Sequence, residues 1–160
     1  MSGRVVGIYL GAKAGQPLEA VEVVRAVPGH GLEGDRYFLG RGSMSRWPGA
    51  GRAVSLIEAE VIEAVGLDWG LNLSGGRSRR NIVTAGVALP ELIGATFRIG
   101  TVLFRGVRAC DPCGYLERRI GPGLVEALRG RGGLRAEVIE EGLLCVGDAV
   151  EVVAAGRTAG

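Results

Sequence analysis

Short apolar runs divided by glycines set the pattern of this chain. Residues 4–10, RVVGIYL, read as a strand, and residues 18–27, LEAVEVVRAV, as a second strand with Val21, Val23 and Val27 on one face. PGHGLEGD (28–35) is rich in turn formers, and LGRGSMSRWPGAG (39–51) has the composition of an irregular loop. The clearest helical period lies in VSLIEAEVIEAVGL (54–67), where Ile57, Val61, Ile62 and Val65 share a face. Ser55 and Glu58 fit a capping box there, and Gly66 fits a C-terminal stop. The start of that segment, AVSLI, reads equally as a strand that runs into the helix.

Further along, RNIVTAG (80–86) is a short strand, and PELIGATFRIG (90–100) gives a turn and then a strand. TVLFRGVRAC (101–110) is another strand, ending on cysteine. YLERRIG (115–121) and LVEALRG (124–130) read as two short helices parted by Gly-Pro-Gly. GGLRAEVIEEGLLCVGDAVEVV (132–153) holds two or three strands, with Leu134, Ala136 and Val138 alternating with Arg135 and Glu137. The tail after Val153 is expected to fray. Strands outnumber helices without alternating regularly with them. The pattern therefore predicts a mainly β, α+β fold, a mixed β-barrel-like domain with a few short helices.

Composition narrows this further. The chain has 160 residues, 47% of them hydrophobic, which suits one domain with a real core. Its 29 glycines follow no fixed period and fall between apolar runs, as tight turns in a β-rich fold require. A net charge of +2 argues against a bulk electrostatic nucleic-acid binder. No apolar run is long enough for a membrane span, and the N-terminus lacks a secretory core, so a cytoplasmic protein is expected. Of 19 basic residues only Lys13 is lysine; coding bias explains this, although arginine is also the better fork for phosphate.

Candidate chemistry centres on RACDPCGYLERR (108–119). Cys110, Cys113 and Cys145 make an odd set with no disulfide framework spacing. Structural zinc needs four ligands, and the only others would be Cys145 and the lone His30; Cys145, inside GLLCV, reads better as a buried small hydrophobe. A thioredoxin-like redox pair lacks its βαβ frame. The third reading has one thiolate bind a soft metal carried by a cofactor, with Arg108, Arg118 and Arg119 supplying positive charge that favours a thiolate. SGGRSRRN (74–81) is either an anion site, with backbone N–H groups and the forks of Arg77, Arg79 and Arg80, or a solvated basic loop; on spacing alone the solvated loop is the better reading. HGLEGDRYF (30–38) is either a ligand loop that holds Arg36 through a carboxylate or a tight turn with a structural Asp35–Arg36 pair, and chemistry alone favours the turn.

Taken in order, HGLEGDRYF, VSLIEAEVIEAV, RRNIVTAGVALPELIGATFRIG, CDPCGYLE and GGLRAEVIEEGLLCVGDAV resemble the MOSC family, the domain at the C-terminus of molybdenum cofactor sulfurases that also occurs as small free-standing bacterial proteins. The matched pieces span about 30–150 of a single 1–160 domain. The resemblance implies a β-barrel-like domain that binds the molybdenum pterin cofactor or its sulfur. Cys113 matches the family's functional cysteine, the molybdenum ligand in the related amidoxime-reducing enzymes. The same resemblance puts Arg79, Arg80 and Asn81 on the cofactor, with Arg36 and Asp111 as further contacts. It implies an oxidoreductase acting on N-hydroxylated small molecules with electrons from a partner reductase, since no flavin or Fe–S motif is present. Its alternatives are a persulfide-based sulfur carrier served by a sulfur-donor protein, or a cofactor-binding module without turnover. A homodimer is compatible with it. The N-terminal barrel of the amidoxime-reducing enzymes and the aminotransferase-like part of the large sulfurases find no match here. Pyridoxal phosphate is rejected: its Schiff base needs a lysine, and Lys13 lies outside every matched motif.

Overall fold

A computed structural model describes residues 3–12, 15–35 and 54–156. Arg36, Lys13 and the loop 39–51 lie outside the described residues.

The alternation in LRAEV extends around a closed sheet. β1 (Gly3–Leu10), β6 (Ile82–Ala85), β5 (Val54–Glu58), β9 (Leu134–Glu140), β8 (Val102–Ala109), β7 (Thr96–Ile99) and β11 (Ala149–Ala154) are hydrogen-bonded in that order. β1 closes on β11 through Gly3↔Val150 and Arg4↔Ala149, which makes a seven-stranded barrel and removes its open edges. Short β2 (Glu19–Val21) adds to the free side of β1. A second sheet, β10 (Gly142–Cys145), β3 (Val23–Val27) and β4 (Gly31–Leu32), packs Leu144, Val24, Ala26 and Leu32 into the barrel core. Phe97 and Phe104, opposite one another on β7 and β8, stack in that core with ring centroids 5.5 Å apart.

The β5–β6 pair is parallel, so the chain must cross over between them. It does so through α1 (Ala59–Trp69) and the loop 70–81. Helix α1, together with α2 (Gly114–Ile120) and α3 (Leu124–Ala127), covers the outer face of this wall. Ile57 and Val83 point outward and join Val61, Val65, Leu73, Leu116 and Leu124 in a second core.

Three expectations need correction, and one open alternative is decided: residues 54–58 are the strand that runs into the helix. β5 is buried on both faces, Leu56 inside the barrel and Ile57 under the helices, and a strand covered on both sides loses its polar alternation. The capping box does not form, because Ser55 lies within β5 and Glu58 caps α1 without a side-chain bond; the left-handed C-cap is Gly70, at φ 66°, not Gly66. The run 18–27 is two strands in two sheets, broken at Glu22, so Val24 and Ala26 are buried while Val23 is 51% exposed. Cys145 is exposed on β10, not buried, because its neighbour Leu144 takes the inward position. β11 runs to Ala154, and Gly156 packs so closely on Ile93 and Gly94 that a Cβ there would meet the Ile93 carbonyl; residues 157–160 of the tail lie outside the described residues.

Glu58, at the β5–α1 junction, has a carboxyl raised above its ordinary range, chiefly by burial, with Glu60 adding repulsion and a Leu89 backbone bond opposing it. The folded state therefore holds this proton to higher pH than the unfolded chain. Stability falls as pH rises through the window between the ordinary carboxylate value and the raised one. Glu58→Gln flattens that part of the stability–pH curve and does not destabilise at neutral pH, as urea titrations across the acidic range will show.

Candidate functional site

The loop 70–81 is closed by its own turns. Arg77, Ser78 and Arg79 N–H donate to the carbonyls of Ser74, Leu73 and Gly76. These three N–H groups are committed to the turns. Gly75 and Gly76 sit at φ 63° and 84°, and a Cβ on Gly76 would press on Tyr9 and Leu18. Arg79 also has positive φ, 60°, as the one non-glycine residue so placed among the described residues. A long side chain held in the left-handed region is strained, and the fold retains it at the point where Arg79 is buried and its Nη1 donates to Gln16 O at 2.7 Å.

Arg80 turns the other way. It is 6% exposed, its Nε donates to Gly132 O at 3.0 Å and its Nη1 to Ser78 O. Gly132 packs against Cys110 and Pro112, and Cys110 N donates to Gly133 O at 2.8 Å. Gly133, at φ 117°, lies so close to the Leu56 carbonyl that no side chain fits. The Arg loop and the cysteine segment are thus tied through Gly132–Gly133. Asn81 locks the base of the arrangement. It is 2% exposed; its Oδ1 accepts from Ser55 N and Oγ, and its Nδ2 donates to Tyr9 O, joining β1, β5 and the start of β6.

The two cysteines differ in burial. Cys110 is buried just past β8, whereas Cys113 is exposed at the head of α2, its carbonyl accepting the first helical bond from Glu117 N. Both thiols are free. A Cβ on Gly114 would stand 3.4 Å from Arg118 Nη1, so this guanidinium lies against the first turn of α2. Asp111, two residues before Cys113 in the chain, is exposed. Among the described residues no group of three His, Cys, Asp or Glu side chains could hold a metal ion, so the zinc reading finds no ligand set there.

At the other end of α2 lies a cavity of about 340 Å³, lined by Pro17, Leu18, Gly75, Gly76, Arg77, Arg79, Arg119 and Ile120. Among the described residues three arginines and no carboxylate border it, a lining suited to an anion. Sequence reasoning placed Arg77 and Arg79 in one loop but assigned Arg119 to the thiol. It missed the wall 16–18, whose approach depends on tertiary contacts: Arg79 on Gln16, and the Tyr115 hydroxyl beside Gly15. Asp35 of GLEGD is fully buried and accepts from Gly11 N at 3.0 Å, which pins the end of β1.

The MOSC domain family model matches residues 42–151. The chain belongs to the MOSC family. Solved structures similar to this MOSC domain include YuaD from Bacillus subtilis (18% identity, TM-score 0.80, covering 99% of this chain and 98% of that one). YiiM from Escherichia coli (19% identity, TM-score 0.72, 100% of this chain and 72% of that one) and YiiM from Geobacillus stearothermophilus (18% identity, TM-score 0.70, 94% and 75%) are also similar. No curated protein matches the sequence. These likenesses show the fold. No helix among the described residues is long and apolar enough to cross a membrane.

Proposed function

We propose that this MOSC protein binds a molybdenum pterin cofactor and reduces N-hydroxylated compounds, such as hydroxylamino-purines or amidoximes, with electrons from a partner reductase. The observation that carries the proposal is the pairing of an exposed thiol, Cys113, with an arginine-lined cavity along one short helix. The donor set fits the group. An exposed thiol that belongs to no group of three metal-binding side chains among the described residues suits a metal that arrives with its own ligands, and the cavity suits a phosphate.

In this reading Cys113 holds the metal. Arg79, with Arg36 as a further candidate, neutralises the phosphate. Arg80 fixes the cysteine segment through Gly132, and Asn81 fixes the strands that present the loop. Asp111 is a further polar contact. When bound, the cofactor supplies two-electron chemistry at molybdenum. The overall reaction, R–NHOH + 2e⁻ + 2H⁺ → R–NH₂ + H₂O, balances with one two-electron donor.

Exposure of Cys113 also favours a second reading, sulfur transfer. The Cys113 thiolate would attack the sulfane sulfur of a donor persulfide, forming a Cys113 persulfide and releasing the donor thiol. One experiment separates the two. Protein made in a cofactor-producing host is mixed with a chemically reduced viologen and a hydroxylamino-purine, and separately with a cysteine desulfurase and cysteine. Donor oxidation that requires the hydroxylamine supports the reductase. A mass gain of one sulfur at Cys113 without donor oxidation replaces it with the carrier.

A further inference from the structure

Three arginines flank Cys113 in the chain, and the structure gives each a different place. Arg108 lies on β8, in register with Arg135 of β9. Arg119 is kept over the Tyr115 ring, 5.7 Å from its centroid, with Nη1 donating to the Tyr115 hydroxyl at 3.4 Å. Arg118 turns back along α2. Helical side chains lean toward the N-terminus, so a residue stands over the one four places before it. Arg118 does this over Gly114: its Nη1 lies 3.4 Å from where a Cβ on that glycine would be. Gly114 follows Cys113 directly, which keeps this nitrogen within about 9 Å of the Cys113 Cα. With no side chain on Gly114, nothing from that residue stands between the two groups. Arg118 makes no hydrogen bond or ion pair with any described residue. Its chain neighbour Glu117 is committed elsewhere, Oε1 accepting from Val125 N at 3.0 Å. Asp111, exposed two residues before Cys113, forms no ion pair with it either.

We infer that Arg118 is a specificity-determining residue for the chemistry at Cys113, favouring reactants that reach the sulfur with a carboxylate close to the reacting atom. This rests on the reading of Cys113 as the functional thiol, and it assigns a group that the proposed function leaves without a role. A guanidinium engaged by no protein acceptor keeps its planar fork available, and a carboxylate is the partner that fork matches. At about 7 Å through water, two opposite unit charges attract by roughly RT, which is a preference of about threefold. A direct two-pronged contact would add to it. The substrate class narrows in the same way for both readings of the site: a small molecule with an acidic group beside its N–O bond, or beside its sulfane sulfur. A neutral molecule of the same size gains nothing from Arg118.

The test uses the full chain made without cofactor. Cys113 is alkylated with iodoacetate, which carries a carboxylate, and in parallel with neutral iodoacetamide, and peptide mass spectrometry reads the two rates at low ionic strength. Their ratio cancels the exposure and ionisation of the thiol, so it reports the charge close to the sulfur. The ratio at Cys113 should be about threefold higher in wild type than in Arg118→Gln. Arg118→Lys should keep most of the preference, and salt at about 0.5 M should remove most of it. Arg129→Gln deletes the same charge from an exposed arginine paired with Glu126 and should leave the ratio unchanged. Exposed Cys145 should give one ratio in all four proteins. Arg118 is exposed, and a thermal melt confirms that its variants fold. Equal Cys113 ratios in wild type and Arg118→Gln, or an equal fall in Arg129→Gln, overturn the inference. Failure of the cofactor reading looks different: molybdenum is then absent from protein made in a competent host, while the charge preference at Cys113 remains.

Discussion

Cys113→Ser protein from a cofactor-producing host is expected to lose its molybdenum, while Cys110→Ser keeps it. The contrast follows from placement. Cys113 presents an exposed sulfur at the head of α2, and Cys110 is 1% exposed, held under Gly132 and bonded through its backbone to Gly133. Loss of an outer partner of a metal ligand typically costs ~10–100-fold in metal affinity, and loss of the one protein thiolate should cost at least as much. Cys110→Ser puts a hydroxyl into an apolar site, so its cost should appear in stability, about 1–3 kcal/mol, and not in metal content. Metal analysis by plasma mass spectrometry, normalised to folded protein, reads both. Equal molybdenum in wild type and Cys113→Ser sinks the ligand assignment. Loss in Cys110→Ser at an unchanged melting temperature gives the metal to the wrong cysteine in this account.

Asn81→Ala should be the most damaging polar substitution in the site, and it should act without any cofactor. The amide joins three strands through Ser55 N, Ser55 Oγ and Tyr9 O, and the Asn81 backbone accepts from Tyr9 N and donates to Ser55 Oγ. Removing the side chain leaves a buried donor on Ser55 and a carbonyl on Tyr9 without these bonds, a loss of about 2–4 kcal/mol. For a chain of this size that lowers Tm by about 5–15 °C. Ser55→Ala removes fewer bonds and should cost about half as much. An unchanged Tm for cofactor-free Asn81→Ala would show that the amide serves only a ligand, and the clamp would be wrong. A stability loss in the cofactor-free protein identifies Asn81 as a positioning residue for the loop that carries Arg79.

The sequence left β5 open between strand and helix, and the cause of that ambiguity is physical. A strand that faces the barrel core through Leu56 and the helices through Ile57 shows no alternation, so its apolar run merges with the period of α1. Strands with one solvated face, such as β9, were legible residue by residue, because Leu134, Ala136 and Val138 alternate with polar neighbours. The break between β2 and β3 was invisible because no Gly or Pro marks it; Glu22 alone parts two strands that enter different sheets.

The site divides in the same way. From the sequence alone came the barrel-like mixed fold and the resemblance carried by ordered motifs. Each of these depends on local composition, chain order or neighbours within a few residues. Which residues line the cavity was decided by tertiary structure. Arg119 meets Arg77 and Arg79 only because the β5–β6 crossover returns its loop beside α2, and because Gln16–Leu18 closes the third side. Arg80, adjacent to Arg79 in the chain, points to Gly132 instead. The positive φ of Arg79 sends the two neighbouring guanidinium groups apart, and no spacing rule carries that information.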